Sequence, residues 1–192
     1  MHPAPAFRTT DPDILLSRLR AYPFCTLVAT DGVRARLTHT PVLADGPKSL
    51  RFHVARTNPV CEALLDSAHA LVATLGEHAY IDPSWYREPD QVGTWNYISV
   101  EAEGPVDVLD ATATRSFLHD LAATFDGNDP WTEDLMTPRR MEQLLAGITA
   151  FRLRPDRLVG TTKLSQNKSP ELQGRIRDAL GSHPLAKLMG GP

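Results

Sequence analysis

The chain has 192 residues, 42% of them hydrophobic and 22% charged, which is an ordinary composition for a globular protein and argues against a disordered chain. A chain of this length buries a sizeable core without a metal or disulfide staple, so we expect a single domain over 1–192. The formal net charge of −3 and the pI near 6.1 exclude a general electrostatic attraction to nucleic acid.

Capping and turn residues mark a first helix and a hairpin. Asp11 is a helix cap, Pro12 suits a first helical turn, and apolar residues follow at helical spacing, which predicts a helix over 12–21. The β-prone run FCTLVAT, 24–30, ends at an Asp-Gly turn signal. Because apolar residues alternate beyond that turn, we expect a β-hairpin.

Another strand and a short helix follow. After the turn residues ADGP at 44–47, the run SLRFHVA alternates apolar and polar residues, as in a strand with one buried face. The period then changes, because Asn58 can cap a helix, Pro59 suits its first turn, and apolar residues recur at helical spacing. We therefore expect three strands in series and then a short helix.

The middle of the chain returns to strands around an irregular segment. The runs 70–75 and 95–109 are β-prone, and the second contains Gly104 and Pro105, where we expect a bulge or bend. Between the two runs, the segment HAYIDPSWYREPDQVGT follows neither the helical nor the strand period. We interpret it as a packed loop.

The last third of the chain combines helices with a strand pair. Capping signals predict helices over 111–125 and 138–146, and the alternation in 148–164 predicts a last strand pair or one bent strand. A final helix is expected to end at Gly181, because glycine is the commonest residue just beyond a helix. The tail from His183 is expected to be loose.

These elements indicate a fold class and a cellular compartment. Five or six short strands in meander order with inserted helices predict a mainly β (α+β) antiparallel barrel, and the lack of G-x-G-x-x-G and P-loop motifs argues against a βαβ nucleotide-binding fold. Cys25 and Cys61 are isolated in apolar runs, as expected of reduced core cysteines. The sequence contains no secretion-signal pattern and no window near the roughly 18 apolar residues of a membrane span, so we expect a cytoplasmic protein without a membrane partner.

The run RFHVARTNPVCEALLD predicts an anion site at a junction of strand and helix. If Arg56 ends a strand and a helix begins at Pro59, the guanidinium and the free N–H groups of the first turn can converge on one anion. A phosphate monoester suits such a site. The alternative is that Arg56 pairs with a surface carboxylate and that the cap only stabilises the helix.

Three further groups of residues have a binding interpretation and a structural one. The first group comprises His39, His53 and His78, whose spacing matches no metal motif, so we favour structural or ligand-adjacent roles over metal ligation. Aromatic residues flank the irregular segment and can line a pocket for a planar ring or simply pack the loop; they are Trp85, Tyr86, Trp95 and Tyr97. The run KLSQNK at 163–168 suits phosphate or sugar-type hydroxyls, or forms a solvated turn.

Seven blocks together resemble a known family. They are PFCTLVAT, LTHTPVLAD, FHVARTNP, HAYIDPSWY, GTWNY, AEGPVDVL and KLSQNK, in family order from about residue 7 to residue 181. The chain is similar to the FMN-binding negative transcriptional regulators of the PaiB type. These are flavin-binding split β-barrels related to pyridoxamine-phosphate oxidase. Two positions depart from the family pattern, because Thr162 stands where an aromatic residue is usual and Gly93 where proline is usual.

The resemblance implies an FMN-binding split β-barrel with inserted and flanking helices, which dimerises and binds FMN in a groove at the subunit interface. It also implies the binding residues. They are Thr38, His39 and Thr40 beside the flavin ring; His53, Val54, Arg56, Thr57 and Asn58 at the phosphate; Trp95 and Asn96 in the groove; and Lys163 and Gln166, which reach the flavin of the partner subunit.

Two functions of different classes follow from this resemblance. The first is a homodimeric negative transcriptional regulator, a repressor whose input is flavin occupancy or redox state; direct DNA binding is compatible with it but is not favoured by the charge. The second is an FMN-dependent oxidoreductase or flavin reductase. The sequence offers no nucleophile with a paired base, so no catalytic residue is assigned.

Overall fold

A computed structural model describes residues 4–190, and the chain divides into two compact units. The terminal unit consists of Met1–Tyr22, Thr74–Val100 and Val159–Pro192. The central unit consists of Pro23–Ala73 and Glu101–Leu158. Each unit is assembled from separate stretches of the chain, and the expectation of a single domain stays a prediction.

The regular elements are as follows. The strands are β1 (Arg8–Thr9), β2 (Phe24–Thr30), β3 (Ala35–Pro41), β4 (Leu43–Gly46), β5 (Ser49–Ala55), β6 (His69–Ile81), β7 (Thr94–Val108), β8 (Ile148–Leu153) and β9 (Arg157–Lys163). The helices are α1 (Pro12–Ala21), α2 (Pro59–Ser67), α3 (Ala111–Phe125), α4 (Pro138–Ala146), α5 (Pro170–Leu180) and α6 (Pro184–Leu188). Short 3-10 helices cover Pro5–Phe7, Pro83–Tyr86 and Glu133–Leu135.

The strands are joined by antiparallel pairing. In hydrogen-bonded order they run β3-β2-β6-β7-β8-β5-β4, and β9 pairs with β1 and β7. The predicted hairpin is confirmed, because β2 pairs with β3 from Phe24 opposite Pro41 to Thr30 opposite Ala35. In the central unit β5 pairs antiparallel with both β4 and β8. The predicted mainly β (α+β) class is thereby confirmed.

Side-chain caps begin the helices where the sequence predicts them. Backbone N–H groups of the first turn donate to the side chains of Asp11, Asn58, Asp110, Thr137 and Ser169, at the starts of α1 to α5 respectively. The predicted helices 12–21, 111–125 and 138–146 have the same bounds in the structure. Within residues 4–190 no helix has the length and hydropathy needed to cross a membrane.

The two faces of β5 organise the central unit. On one face Phe52 is fully buried and stacks on Phe151, with ring centroids 5.7 Å apart. The other face is covered by α3, where the Phe117 ring centroid lies 5.8 Å from that of His53 and 5.7 Å from the Arg51 guanidinium carbon. Because side chains alternate across a strand, neighbouring residues of β5 have opposite surroundings.

The C-terminal tail corrects one prediction. Instead of a loose tail from His183, the chain forms α6, and the His183 ring accepts a hydrogen bond from the Leu185 N–H. Leu185 is fully buried, and Met189 joins a hydrophobic cluster with Tyr86 and Ile176. The prediction was wrong because this helix is short and its stabilising partners lie far away in the sequence.

The two long strands bear on two other predictions. β7 continues through Gly104 and Pro105 to Val108, and the bulge or bend expected there stays a prediction. A side chain at Gly104 would overlap the carbonyl oxygen of Arg154, so glycine permits close approach of the backbones. β6 extends to Ile81, so the start of the predicted packed loop is strand. The loop proper therefore begins at Asp82.

Candidate functional site

The junction of β5 and α2 presents an arginine at an exposed position. Arg56 follows the last residue of β5, and its Nε and Nη2 atoms donate to the carbonyl oxygens of Ala146 and Ile148, both at 3.0 Å. Its backbone N–H donates to the Gly147 carbonyl at 2.8 Å. The chain between α4 and β8 therefore fixes the guanidinium in place, while Nη1 has no hydrogen-bond partner within residues 4–190.

The two residues after Arg56 differ in what they can offer a ligand. Asn58 is committed to the fold, because its Oδ1 accepts from the Val60 N–H at 2.9 Å and its Nδ2 donates to the Thr38 hydroxyl at 3.1 Å. Thr57 is exposed, and its hydroxyl has no hydrogen-bond partner in the described part of the chain. Arg56 and Thr57 are thus the donors that an incoming anion would meet.

This donor set fits a phosphate monoester. A fixed guanidinium supplies charge-assisted hydrogen bonds, which are roughly twice as strong as those between neutral groups. The nine-residue helix α2 begins immediately after Asn58, so the positive end of its dipole lies beside the same surface. The predicted phosphate segment therefore has the chemistry that its sequence indicates, with Asn58 acting as a support.

The three predicted residues of β3 have different environments. Thr38 is half-buried beside Asn58, whereas Thr40 is buried and donates to the His53 carbonyl at 2.7 Å. His39 lies on the opposite, exposed face, where its ring stacks on Phe24 at a centroid distance of 6.0 Å. The structure thus brings Thr38 to the phosphate segment and leaves His39 as the accessible side chain of the three.

His53 and Val54 do not present their side chains at the β5–α2 junction. Val54 is only 4% exposed and belongs to the core. His53 faces α3, its Nδ1 atom is buried without a hydrogen-bond partner in the described residues, and burial lowers its pKa. A role for these two residues at a phosphate is therefore limited to their backbone.

Lys163 and Gln166 form part of a tightly bonded turn in the terminal unit. The Lys163 ammonium donates to the hydroxyl of Thr94 and, at 2.7 Å, to the carbonyl of Trp95, and burial lowers its pKa. Gln166 accepts from the Leu164 N–H at 2.8 Å through Oε1, and its Nε2 donates to backbone carbonyls. Both polar groups are already used to fix the turn.

Trp95 and Asn96 lie on opposite faces of β7. Trp95 is 53% exposed, and its ring meets that of Tyr80 edge to face, with centroids 5.9 Å apart. Asn96 is fully buried and donates to the Ser165 hydroxyl at 2.8 Å, so its side chain does not line an open groove. Ser165 belongs to the run KLSQNK and has a φ of +61°, uncommon for a residue with a side chain; its pairing with the distant Asn96 was not predicted from the sequence.

Gly93 and Thr162, the two positions that depart from the family pattern, each lie against a nearby side chain. A side chain at Gly93 would overlap the Tyr80 hydroxyl, so glycine allows this tyrosine to lie close to the loop. The Thr162 hydroxyl accepts from Arg18 Nη2 at 2.7 Å and is hydrogen-bonded to the Thr9 hydroxyl. At both positions the chain has replaced a bulky residue by contacts of its own.

His39, His53 and His78 do not form a metal centre in the described part of the chain. No group of three or more His, Cys, Asp or Glu side chains within residues 4–190 is arranged to hold a metal ion. His39 and His53 belong to the surroundings described above, and His78 lies near Trp95, with ring centroids 6.1 Å apart. The His78 ring is also hydrogen-bonded to the Gly76 carbonyl at 2.9 Å.

Comparison with protein families gives one match that spans most of the chain. The model described as "Putative FMN-binding domain" matches residues 1–157, which include the whole β5–α2 junction. The chain is also 27% identical over 168 residues to "Protease synthase and sporulation protein PAI 2" of Bacillus subtilis (strain 168), covering 85% of this chain and 81% of that protein. The predicted resemblance is confirmed, and FMN is the cofactor of the matching family.

Solved structures agree on the fold. The FAD and heme binding protein from Mycobacterium smegmatis superposes with a TM-score of 0.65 at 18% identity, covering 91% of this chain and 80% of that one. The flavocytochrome Anf3 from Azotobacter vinelandii also gives a TM-score of 0.65, at 15% identity over 91% of this chain and 78% of that one. These similarities confirm the predicted split β-barrel fold.

Proposed function

The chain belongs to the FMN-binding domain family, and on that basis we propose that it binds FMN as a homodimer and acts as a negative transcriptional regulator. One observation carries the flavin proposal, namely the fixed guanidinium of Arg56 next to the free hydroxyl of Thr57 and the start of α2. These groups hold the phosphate. The flavin ring is held at the β2–β3 hairpin, where the exposed rings of Phe24 on β2 and His39 on β3 are stacked.

An exposed apolar face supports the homodimer. Phe24 and Leu37 are 67% and 59% exposed, respectively, and lie on the outward face of the β2–β3 hairpin. Exposed apolar side chains that share a face are typical of surfaces that bind another protein. In the proposed dimer this face is covered by a second copy of the chain.

The regulatory output rests on similarity to a named relative. The Bacillus subtilis protein is named for protease synthesis and sporulation and shares 27% identity with this chain, which supports a role in regulation. In this proposal FMN occupancy or redox state is the input and lowered gene expression is the output. The net charge of −3 makes direct DNA binding the step that most needs a test.

A bound flavin supplies electron and hydride transfer, whereas the protein supplies binding and orientation. For this chain the binding role falls to Arg56 and Thr57, while Asn58 caps the helix α2 that follows them. Burial lowers the pKa of Lys163, but its ammonium is bonded to Thr94 and Trp95. The described residues thus support cofactor binding more directly than proton transfer to a substrate.

The proposal is tested with the purified chain in three steps. Titration with FMN, followed by absorbance, is expected to saturate at one FMN per chain, and light scattering is expected to give the mass of two chains. Binding to promoter DNA fragments is then measured across a salt series, with and without FMN. Absence of saturable FMN binding would contradict the proposal that FMN is the cofactor. Absence of sequence-dependent DNA binding would contradict regulation by direct binding to DNA.

The same sample separates the regulator from the oxidoreductase. Bound FMN is mixed anaerobically with NADH or NADPH, and its absorbance is followed. A regulator without enzymatic activity is expected to leave the flavin oxidised over many minutes. Rapid bleaching, followed by reoxidation with an added electron acceptor, would instead establish an FMN-dependent oxidoreductase or flavin reductase.

A further inference from the structure

An apolar cavity, open on one side, lies in the central unit. It has a volume of about 420 Å³ and is bounded by α3, α4, the segment 126–137 and the helix-facing side of β5. Its walls include Leu121, Phe125, Trp131, Leu144 and His53. Pockets of roughly 300 to 1,000 Å³ with mainly apolar walls are typical binding sites for small molecules.

Specific bonds hold the segment that closes the cavity. The Trp131 backbone N–H donates to Asp126 Oδ2 at 3.0 Å, and the Trp131 ring stacks on His119 with centroids 5.7 Å apart. Glu133 then ties this segment to α3, because it accepts from Arg115 at 2.6 Å and lies 3.2 Å from the His119 ring nitrogen. These bonds fix the segment against α3 and define this wall of the cavity.

Two polar atoms of the lining side chains are unsatisfied. The indole Nε1 of Trp131 and the Nδ1 of His53 are buried and have no hydrogen-bond partner within residues 4–190. A buried donor without an acceptor is rare in folded proteins, because water would satisfy it in the unfolded chain. A ligand oxygen that reaches the indole N–H after a small turn of the ring would satisfy it.

The charge of the lining restricts the ligand. Among the residues that line the cavity there is no Lys or Arg, and the one charged side chain is the carboxylate of Asp126. An anionic ligand would enter an apolar space without a cation to pair with, which is strongly unfavourable. This cavity is therefore unsuited to a phosphate group, in contrast to the surface at Arg56.

We propose that this cavity is a second ligand site, which binds a small neutral aromatic compound carrying a carbonyl or hydroxyl oxygen. The apolar and aromatic walls contribute most of the affinity, and the Trp131 indole N–H fixes the orientation by donating to the oxygen. The lining of this cavity does not include the phosphate donors Arg56 and Thr57, although it includes Ile148, whose carbonyl accepts from Arg56. The proposal goes beyond flavin binding, and its test does not require FMN.

The probe is coumarin, a neutral bicyclic lactone, and the readout is the indole region of a ¹H–¹⁵N correlation spectrum. The chain has three tryptophans, and the Trp131 signal is identified by its loss in Trp131→Phe. Coumarin is expected to shift the Trp131 signal in a saturable manner. The anionic analogue coumarin-3-carboxylate is expected to bind about tenfold more weakly or worse, because its charge is unpaired in the cavity.

Matched variants on α3 locate the site. Ala122 lines the cavity, so Ala122→Met fills it and is expected to weaken coumarin binding about tenfold or more. Ala123, the next residue, is exposed and does not line the cavity, so Ala123→Met is expected to bind as the unchanged chain does. If Ala122→Met does not fold, Leu144→Phe fills the same space from α4.

Three results would overturn the proposal. The first is a Trp131 signal that does not move with coumarin up to its solubility limit while the spectrum shows a folded chain. The second is equal binding of coumarin and coumarin-3-carboxylate. The third is unchanged coumarin affinity in the folded cavity-filling variant. Each variant is also titrated with FMN, so that failure of coumarin binding can be distinguished from failure of FMN binding.

Discussion

Asn58 Nδ2 donates a hydrogen bond to the Thr38 hydroxyl at 3.1 Å. This bond joins the cap of α2 to the middle of β3, two segments that are 20 residues apart in the chain. The same Asn58 side chain accepts from the Val60 N–H, so one amide fixes both the start of the helix and its place against the strand. Thr57 directly precedes this cap, whereas the guanidinium of Arg56 is held by the carbonyls of Ala146 and Ile148.

Removal of the Asn58 side chain is expected to destabilise the fold. Asn58→Ala loses the helix cap and the bond to Thr38, and we expect a loss of about 1–2 kcal/mol in the free energy of unfolding. Asn58→Asp keeps the acceptor for the cap and loses only the donor to Thr38, so its loss should be smaller. Urea unfolding measures both variants, and equal stability of Asn58→Ala and the unchanged chain would contradict this role.

Burial of His53 is expected to make stability depend on pH. Burial lowers the pKa of His53 below its ordinary value of 6.5, so the unfolded chain takes up this proton at a higher pH than the folded chain does. Stability therefore falls as the pH drops below about 6.5, down to the folded-state pKa. In His53→Gln, urea unfolding is expected to show a smaller loss over this range.

The control for His53 is an exposed histidine. His69→Gln changes an exposed side chain at the start of β6, so it is expected to leave the pH dependence of unfolding nearly as it is in the unchanged chain. If the free energy of unfolding falls with pH as steeply in His53→Gln as in the unchanged chain, the His53 ring is not shielded from protons.

Substitution of two glycines by alanine is expected to change the stability of the fold in opposite directions. Gly104→Ala places a methyl group against the Arg154 carbonyl, so we expect a destabilisation of about 1–3 kcal/mol. Gly174 lies within α5 with open space around its Cα, so Gly174→Ala is expected to stabilise the chain by about 0.5–1 kcal/mol. Thermal unfolding compares the two variants, and stabilisation by Gly104→Ala would refute the close approach.

Local signals predicted those parts of the fold that local interactions determine. Asp11 and Thr137 cap helices in the structure because a cap depends on residues within one turn. The hairpin after Thr30 follows from a turn signal between two alternating runs. Such features need no knowledge of distant partners.

The remaining features depend on contacts between residues far apart in sequence. Arg56 was predicted as a phosphate donor, but its attachment to Ala146 and Ile148, which joins segments 90 residues or more apart, was not. Asn96 was placed in a groove, whereas its partner Ser165 holds it in the interior. Trp131 lies in a segment without a regular period, so no sequence pattern could assign it to a cavity.

The central claim is that Arg56 holds the phosphate of FMN. Its direct test is the FMN dissociation constant of Arg56→Gln, which loses the charge but keeps an amide donor where Nε bonds to Ala146, and of Arg139→Ala, which removes an exposed cation on α4. We predict about ten- to hundredfold weaker binding for Arg56→Gln, the equivalent of about 1.5–3 kcal/mol, and no change for Arg139→Ala. Equal FMN affinity in the folded Arg56→Gln variant and the unchanged chain would contradict the assignment.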